Sequence, residues 1–276
     1  MMNPTPSNWP RVTRRVFVVI ALAIAATGLV ARAQQVEVRQ AEGLVHGFLT
    51  LRNLEGVILA DGDLIQTSRG SRVTSRLLFH FKDGSVHDET TVFSQDKGFR
   101  VISDRLIQKG PTFPQPLDMA VDVPKGRVTV RYADDHGKER VEDEHMKLPT
   151  NLANGLLPIL LKDVRPNAPV PELTLVAATP KPRLVKLVIT SNGDDAFNTG
   201  AIARKATHYV VKVEIGGIAG LVAPLLGKQP PESHVWIMGG EAPAFIKSQQ
   251  PLYLGGPLWQ IELAAPAWPR SADENR

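Results

Sequence analysis

Apolar and polar positions along this chain alternate in short runs broken by turn residues, a pattern that predicts a protein built mostly of β-strands. Between residues 47 and 113, β-branched and aromatic runs at 57–59 and 64–67 are followed by Ala60-Asp61-Gly62-Asp63 and Ser68-Arg69-Gly70, which read as turns. The clearest hairpin joins 76–81 to 86–93 through Lys82-Asp83-Gly84-Ser85, because Asp-Gly favours the positive φ angles of a two-residue turn. Further strands are predicted at 99–107, 119–123, 127–132 and 138–147, which completes an antiparallel meander.

A single helix is predicted over 151–164, where Leu152, Leu156, Leu157, Ile159, Leu160 and Leu161 make an apolar face, although Gly155 and Pro158 interrupt it. The three prolines of 165–171 then predict an extended linker, read as a crossover inside one sheet. Strands resume at 173–178, 183–190, 208–215, 235–238, 244–247, 252–254 and 258–263, with Asn192-Gly193-Asp194-Asp195 as a turn. Paired glycines after three of these runs, at 216–217, 239–240 and 255–256, suit the bends of a curved sheet. The fold class expected is mainly β, a curved antiparallel sheet of half-barrel type with one or two short helices, in one domain over 34–265 and a loose tail at 266–276.

The first 33 residues change the picture of where the protein works. Arg11, Arg14 and Arg15 lead into an apolar run at 16–30, and Ala31-Arg32-Ala33 places small residues where a signal peptidase reads them, so the mature chain is expected to start at Gln34 in the periplasm or outside the cell. The run is shorter than the roughly 20 apolar residues a membrane anchor needs, so contact with the membrane is expected only through this segment or in passing. Thr13-Arg14-Arg15-Val16-Phe17 resembles the twin-arginine signal, which implies export in a folded state; arginine pairs also occur in ordinary secretory signals, and both routes stay open.

Charge must then be recounted. The whole chain has 32 Lys and Arg against 28 Asp and Glu, but four of the cations and none of the acids lie in the first 33 residues, which leaves 28 against 28. The basic surface expected of a nucleic-acid binder is absent. With no cysteine there is no disulfide, thiol chemistry or cysteine-ligated metal, and stability rests on apolar burial and the strand ladder.

Candidate chemistry is sparse. A two-residue turn at Asp83-Gly84 would set His80 opposite His87 with Glu89 on the same face, a zinc-ligand combination. Phe79 and Phe81 claim the buried side in that register, so the histidines read as exposed neighbours; no metal and no cofactor is expected. The acidic stretches at 134–137 and 142–145 lack calcium-loop spacing, and no nucleophile elbow, phosphate loop or dinucleotide motif occurs. The oddest interior stretch is 215–227, thirteen residues with no charged or hydrogen-bonding side chain. It reads either as a buried connection or as an apolar lid, in which Ile218, Leu221, Val222, Leu225 and Leu226, with Trp236, would line a ligand pocket.

The export signal, the strand meander with Asp-Gly turns, the apolar helix after Leu148-Pro149 and the glycine-punctuated late strands together resemble exported bacterial proteins with the half-barrel fold of periplasmic lipoprotein-localisation factors. That resemblance implies a curved sheet wrapped around a helix or lid, with an apolar cavity for an acyl chain. The leading functional expectation is non-catalytic binding of a lipid or another apolar small molecule. An envelope scaffold that docks onto another protein comes second, and a hydrolase without a recognisable motif third.

Overall fold

The computed structural model describes residues 35–134, 136–165, 168–214 and 230–265. Its strands form one antiparallel sheet made of two meanders. The first runs β1 (Val45–Arg52), β2 (Ile58–Arg69), β3 (Arg72–Phe81), β4 (Val86–Gln95), β5 (Phe99–Lys109), β6 (Leu117–Asp122), β7 (Arg127–Ala133) and β8 (Glu139–His145). The second runs β9 (Leu173–Ala177), β10 (Arg183–Thr199), β11 (Ile202–Glu214), β12 (Ser233–Met238), β13 (Ala244–Gln250) and β14 (Trp259–Leu263). Pairing of β1 with β14 welds the two into a sheet of 14 strands whose edges, β8 and β9, do not pair with each other. The mainly β, open curved sheet expected from the hydrophobic pattern is the fold observed.

Curvature follows from what the inner face buries. Residues of β3–β7 (Val73, Phe93, Met119, Val130) share one apolar cluster with residues of β9–β12 (Leu173, Leu187, Val211, Val235), strands far apart in sheet order. They meet around Leu156, Leu160 and Leu161, in helix α1 (Leu157–Asp163), the one helix among the described residues, and the turn before it. A flat sheet would leave these two faces in water, so burying them on one helix bends the sheet into a trough. The helix is only seven residues long: Pro158 occupies its first turn, and residues 151–156 form turns instead of the predicted early helix.

Those turns have another task. The N–H of Ala153 donates to Thr174 O at 2.8 Å and the N–H of Thr174 donates to Asn151 O at 3.1 Å. The Asn154 side chain brackets Val176, accepting from its N–H at 2.9 Å and donating to its carbonyl at 3.1 Å. The connection from β8 to β9 thus satisfies the open edge of β9 and seats the helix in the trough. The opposite edge, β8, is protected differently, by the charged run Glu139-Arg140-Val141-Glu142-Asp143-Glu144-His145.

Two expected turns are strand interior. Gly62 lies within β2, facing Phe79 across the ladder, and a Cβ there would reach within 2.5 Å of the Phe79 ring. The glycine provides room for a ring that is fully buried. Gly62→Ala is expected to cost about 1–3 kcal/mol by overpacking, measured by urea unfolding; a neutral result would mean that Phe79 has another place to go. Asn192-Gly193-Asp194-Asp195 likewise lies inside the long β10, at a register shift between Ser191 and Asp194, and the hairpin tip comes at Gly200. A bulge absorbs the glycine that reads as a turn in sequence. Residues 252–254 form a bend and the start of a turn instead of a strand.

Candidate functional site

The expected hairpin at Asp83-Gly84 has a three-residue loop in place of two. The N–H of Phe81 donates to Ser85 O at 2.9 Å, Gly84 takes φ +85°, and the Asp83 carboxylate accepts from the N–H of Ser85 at 2.9 Å. Phe79 therefore pairs with His87 and His80 with Val86, one residue away from the predicted register. Because side chains alternate along a strand, a shift of one exchanges the faces. His80 is exposed on the outside, whereas His87 joins Phe79 inside with only 3% of its surface accessible. The grouping of His80 with His87 and Glu89 is thereby corrected: the first lies across the sheet from the other two. Among the described residues no three His, Asp or Glu side chains are placed to share a metal.

Trp236 is corrected for the same geometric reason. Val235 and Ile237 take the inner face of β12, so Trp236 points outward, where its indole stacks on His208 at 4.4 Å between centroids and its Nε1–H donates to Asp195 at 2.7 Å. Ile218, Leu221, Val222, Leu225 and Leu226 lie outside the described residues.

The shifted register builds a site that the sequence reading left unassembled. On the inner face, β4 and β5 pair His87 with Gln108, Glu89 with Leu106, and Thr91 with Asp104. The last pair continues a row across the sheet, Gln66 of β2, Ser75 of β3, Thr91 of β4 and Asp104 of β5, all buried. Thr91 donates its hydroxyl hydrogen to Asp104 at 2.7 Å. At the β2 end, the Gln66 amide donates to Glu42 at 2.8 Å, and Glu42 forms an ion pair with Lys162 of the helix at 2.5 Å. Asp163, the next residue, accepts from the backbone N–H of Gln40 at 2.7 Å, so the segment before β1 clamps the helix in place.

Above this row lies a cavity of about 410 Å³, within the 300–1,000 Å³ typical of ligand pockets. Its wall is mostly aliphatic, with Leu49, Leu64, Leu77, Leu106, Met119 and Ile159 among the lining residues. Polar interruptions come from His87, Glu89, Thr91, Ser75 and Gln66, together with the Glu42–Lys162 pair and Arg183. Val213 and Pro230, which flank the segment outside the described residues, also line it.

Burial sets the protonation of the polar spot. Loss of solvent, and then the charge of neighbouring Asp104, push the Glu89 carboxyl up to about 8, so it stays protonated at neutral pH. Burial pushes Asp104 up to about 6, against the hydrogen bonds of Thr91 and Asn154, so Asp104 is ionised at neutral pH. The His87 imidazole is driven down to about 4 by burial, opposed by Asp88, and is neutral. The result is an apolar cavity with an uncharged imidazole and an uncharged carboxyl in one wall. None of this was legible in sequence beyond the residue types; the signal that would have found it is a polar residue at every second position of 87–91, on the face that Phe79 occupies.

No family model matches this chain, and no curated protein matches it. Among solved structures it is similar to a beta-barrel-like protein of domain of unknown function DUF1849 from Brucella abortus, at 12% identity and a TM-score of 0.44, over 82% of this chain and 98% of that one.

Proposed function

We propose that this protein is an exported, non-catalytic binder of an apolar ligand, a lipid or acyl chain, held in the trough between the sheet and helix α1. The cavity carries this reading: a mostly aliphatic chamber of about 410 Å³ between the sheet and the helix, bordered by the buried apolar cluster. Tight interiors exclude voids of this size unless something fills them. The leader expected over the first 33 residues supports an envelope setting, where acyl chains need shielding from water.

Native mass spectrometry of protein purified gently from the periplasm tests the proposal. A mature chain starting at Gln34 with an additional lipid-sized mass is the expected result. Filling the chamber by Leu77→Trp together with Met119→Trp is expected to weaken uptake of an uncharged apolar dye by at least about tenfold, equivalent to 1.4 kcal/mol, with the strand signature in circular dichroism retained. A clean apo mass and no dye uptake would overturn the reading and favour docking to an envelope protein.

A further inference from the structure

The rim of the cavity holds a cation without a counter-charge. Arg183 opens β10 on its buried face: Val185 and Leu187 follow at every second position and are buried, whereas Leu184 and Lys186 between them are exposed. The arginine lines the cavity and is itself half-buried, which puts it where the chamber meets solvent. A charged side chain on a core-facing position is rare unless paired. Even the exposed arginines of this sheet are paired: Arg76 bonds Asp88 and Arg105 bonds Asp118, each through two nitrogens. Lys186, three residues along β10, reaches Glu172 at 3.1 Å. Arg183 has no carboxylate within ion-pair distance among the described residues, and residues 215–227, which follow β11 in the chain, contain no charged or hydrogen-bonding side chain to provide one.

The backbone fixes this residue and its neighbours leave room beside it. Arg183 pairs with Ala177 of β9 across the ladder. Before it comes the corner Thr179-Pro180-Lys181-Pro182, where Pro182 is buried and the Thr179 hydroxyl donates to Lys181 O at 2.7 Å. Ala177 and Ala178 also line the cavity, and their small side chains leave space at this rim for a head group. The other lining cation, Lys162, is neutralised by Glu42, and Glu89 stands on β4, distant from β10 in sheet order. A methylene takes up about as much room as a liquid water, roughly 30 Å³, so the chamber of about 410 Å³ holds one chain of roughly 14 carbons.

We propose that Arg183 is the head-group anchor of the cavity, binding the carboxylate or phosphate of an amphiphile whose acyl chain fills the aliphatic chamber. The guanidinium fork donates to two oxygens of either anion, and the partly desolvated rim makes that contact stronger than it would be on an open surface. An ammonium head is repelled there, and an uncharged head leaves the cation without its counter-charge. The inference rests on the cavity being the ligand site.

Four probes with one chain length test the anchor: dodecanoate, dodecyl phosphate, dodecanol and dodecylammonium, each competing with the uncharged apolar dye for the delipidated mature protein at pH 7.5. At least one of the two anions is expected to bind at least about tenfold tighter than dodecanol and dodecylammonium, in line with a charge-assisted hydrogen bond. A lead held by dodecyl phosphate alone identifies a phosphate head, and one held by dodecanoate alone a carboxylate. Arg183→Met, which keeps an apolar stem, is expected to abolish the lead while dye uptake and dodecanol binding stay within about twofold. If that variant takes up no dye, Arg183→Lys is read instead: the charge preserves the preference for anions, but loss of the planar fork weakens the better anion at least about threefold. Equal binding of all four probes by the parent, a lead that survives Arg183→Met, or unchanged affinities in Arg183→Lys would overturn the anchor and leave the cavity reading standing. No dye uptake by the parent, or dye that none of the four displaces, would overturn the cavity reading itself.

Discussion

Gly155→Ala is expected to be a strongly damaging single-methyl change in this protein. Gly155 sits in the turn before α1 at φ +61°, and a Cβ there would run into the Thr91 hydroxyl, lying 3.0 Å from its Cβ and 3.4 Å from Asp104 Oδ1. Thr91 cannot withdraw freely, because its hydroxyl is the bonded partner of a buried carboxylate. The loss adds left-handed backbone strain, overpacking against β4 and a weakened hydrogen bond to Asp104, together at least about 3 kcal/mol. Gly193→Ala provides the control: its φ is +83° but nothing lies within 4 Å of the added methyl, so only the backbone cost of about 1–2 kcal/mol applies. Urea unfolding of the two variants reads the difference. Equal losses would show that the turn before the helix is not seated on β4.

Glu89→Gln is expected to stabilise the ligand-free protein at alkaline pH, with a sign that follows from proton counting. In the unfolded chain Glu89 loses its proton near 4.5, whereas in the folded protein it keeps it to about 8. Between these values the native state binds more protons than the unfolded state, so stability falls as pH rises. Asp104 acts in the same direction between its ordinary 3.8 and about 6. His87 acts in the opposite direction: folded at about 4 against 6.5 unfolded, it lowers stability as pH falls through that range. Above pH 6.5 the residual slopes of His87 and Asp104 are small and opposite in sign, which leaves Glu89 to set most of the slope. Stability of the parent is expected to decline by on the order of 1–2 kcal/mol between pH 6.5 and 8, and Glu89→Gln to flatten that decline while preserving side-chain shape. Parallel curves for parent and variant would show that water reaches the carboxyl and that it titrates normally.

Both predictions concern the inner face of β4, and both depend on the register set by one loop residue. A two-residue turn at Asp83-Gly84 would have placed His87 and Glu89 outside with His80. The Asp83 carboxylate binds the N–H of Ser85 and also accepts the Thr112 hydroxyl at 2.7 Å, which favours the longer loop and turns the two residues inward. Thr112 is distant in sequence, so this cause was not available to a local reading.

What the chain determined by itself is the material that local physical chemistry controls. Period-two alternation and turn residues specify strands; the crowded leucines after Leu148-Pro149 specify the helix that the sheet covers; the absence of cysteine rules out disulfides. Tertiary structure decided what depends on neighbours remote in sequence. Gly62 reads as a turn until the Phe79 ring is placed beside it, and Gly193 until β11 pairs across it. Trp236 reads as a pocket residue until Val235 and Ile237 take the inner face. The pairing of β1 with β14 and the closure of both meanders on one helix have no sequence signature, because apolar burial is non-directional and only the folded arrangement selects which faces meet. The polar spot in the cavity wall follows from the same rule: His87 and Glu89 are ordinary charged-strand residues in sequence, and it is burial that neutralises both.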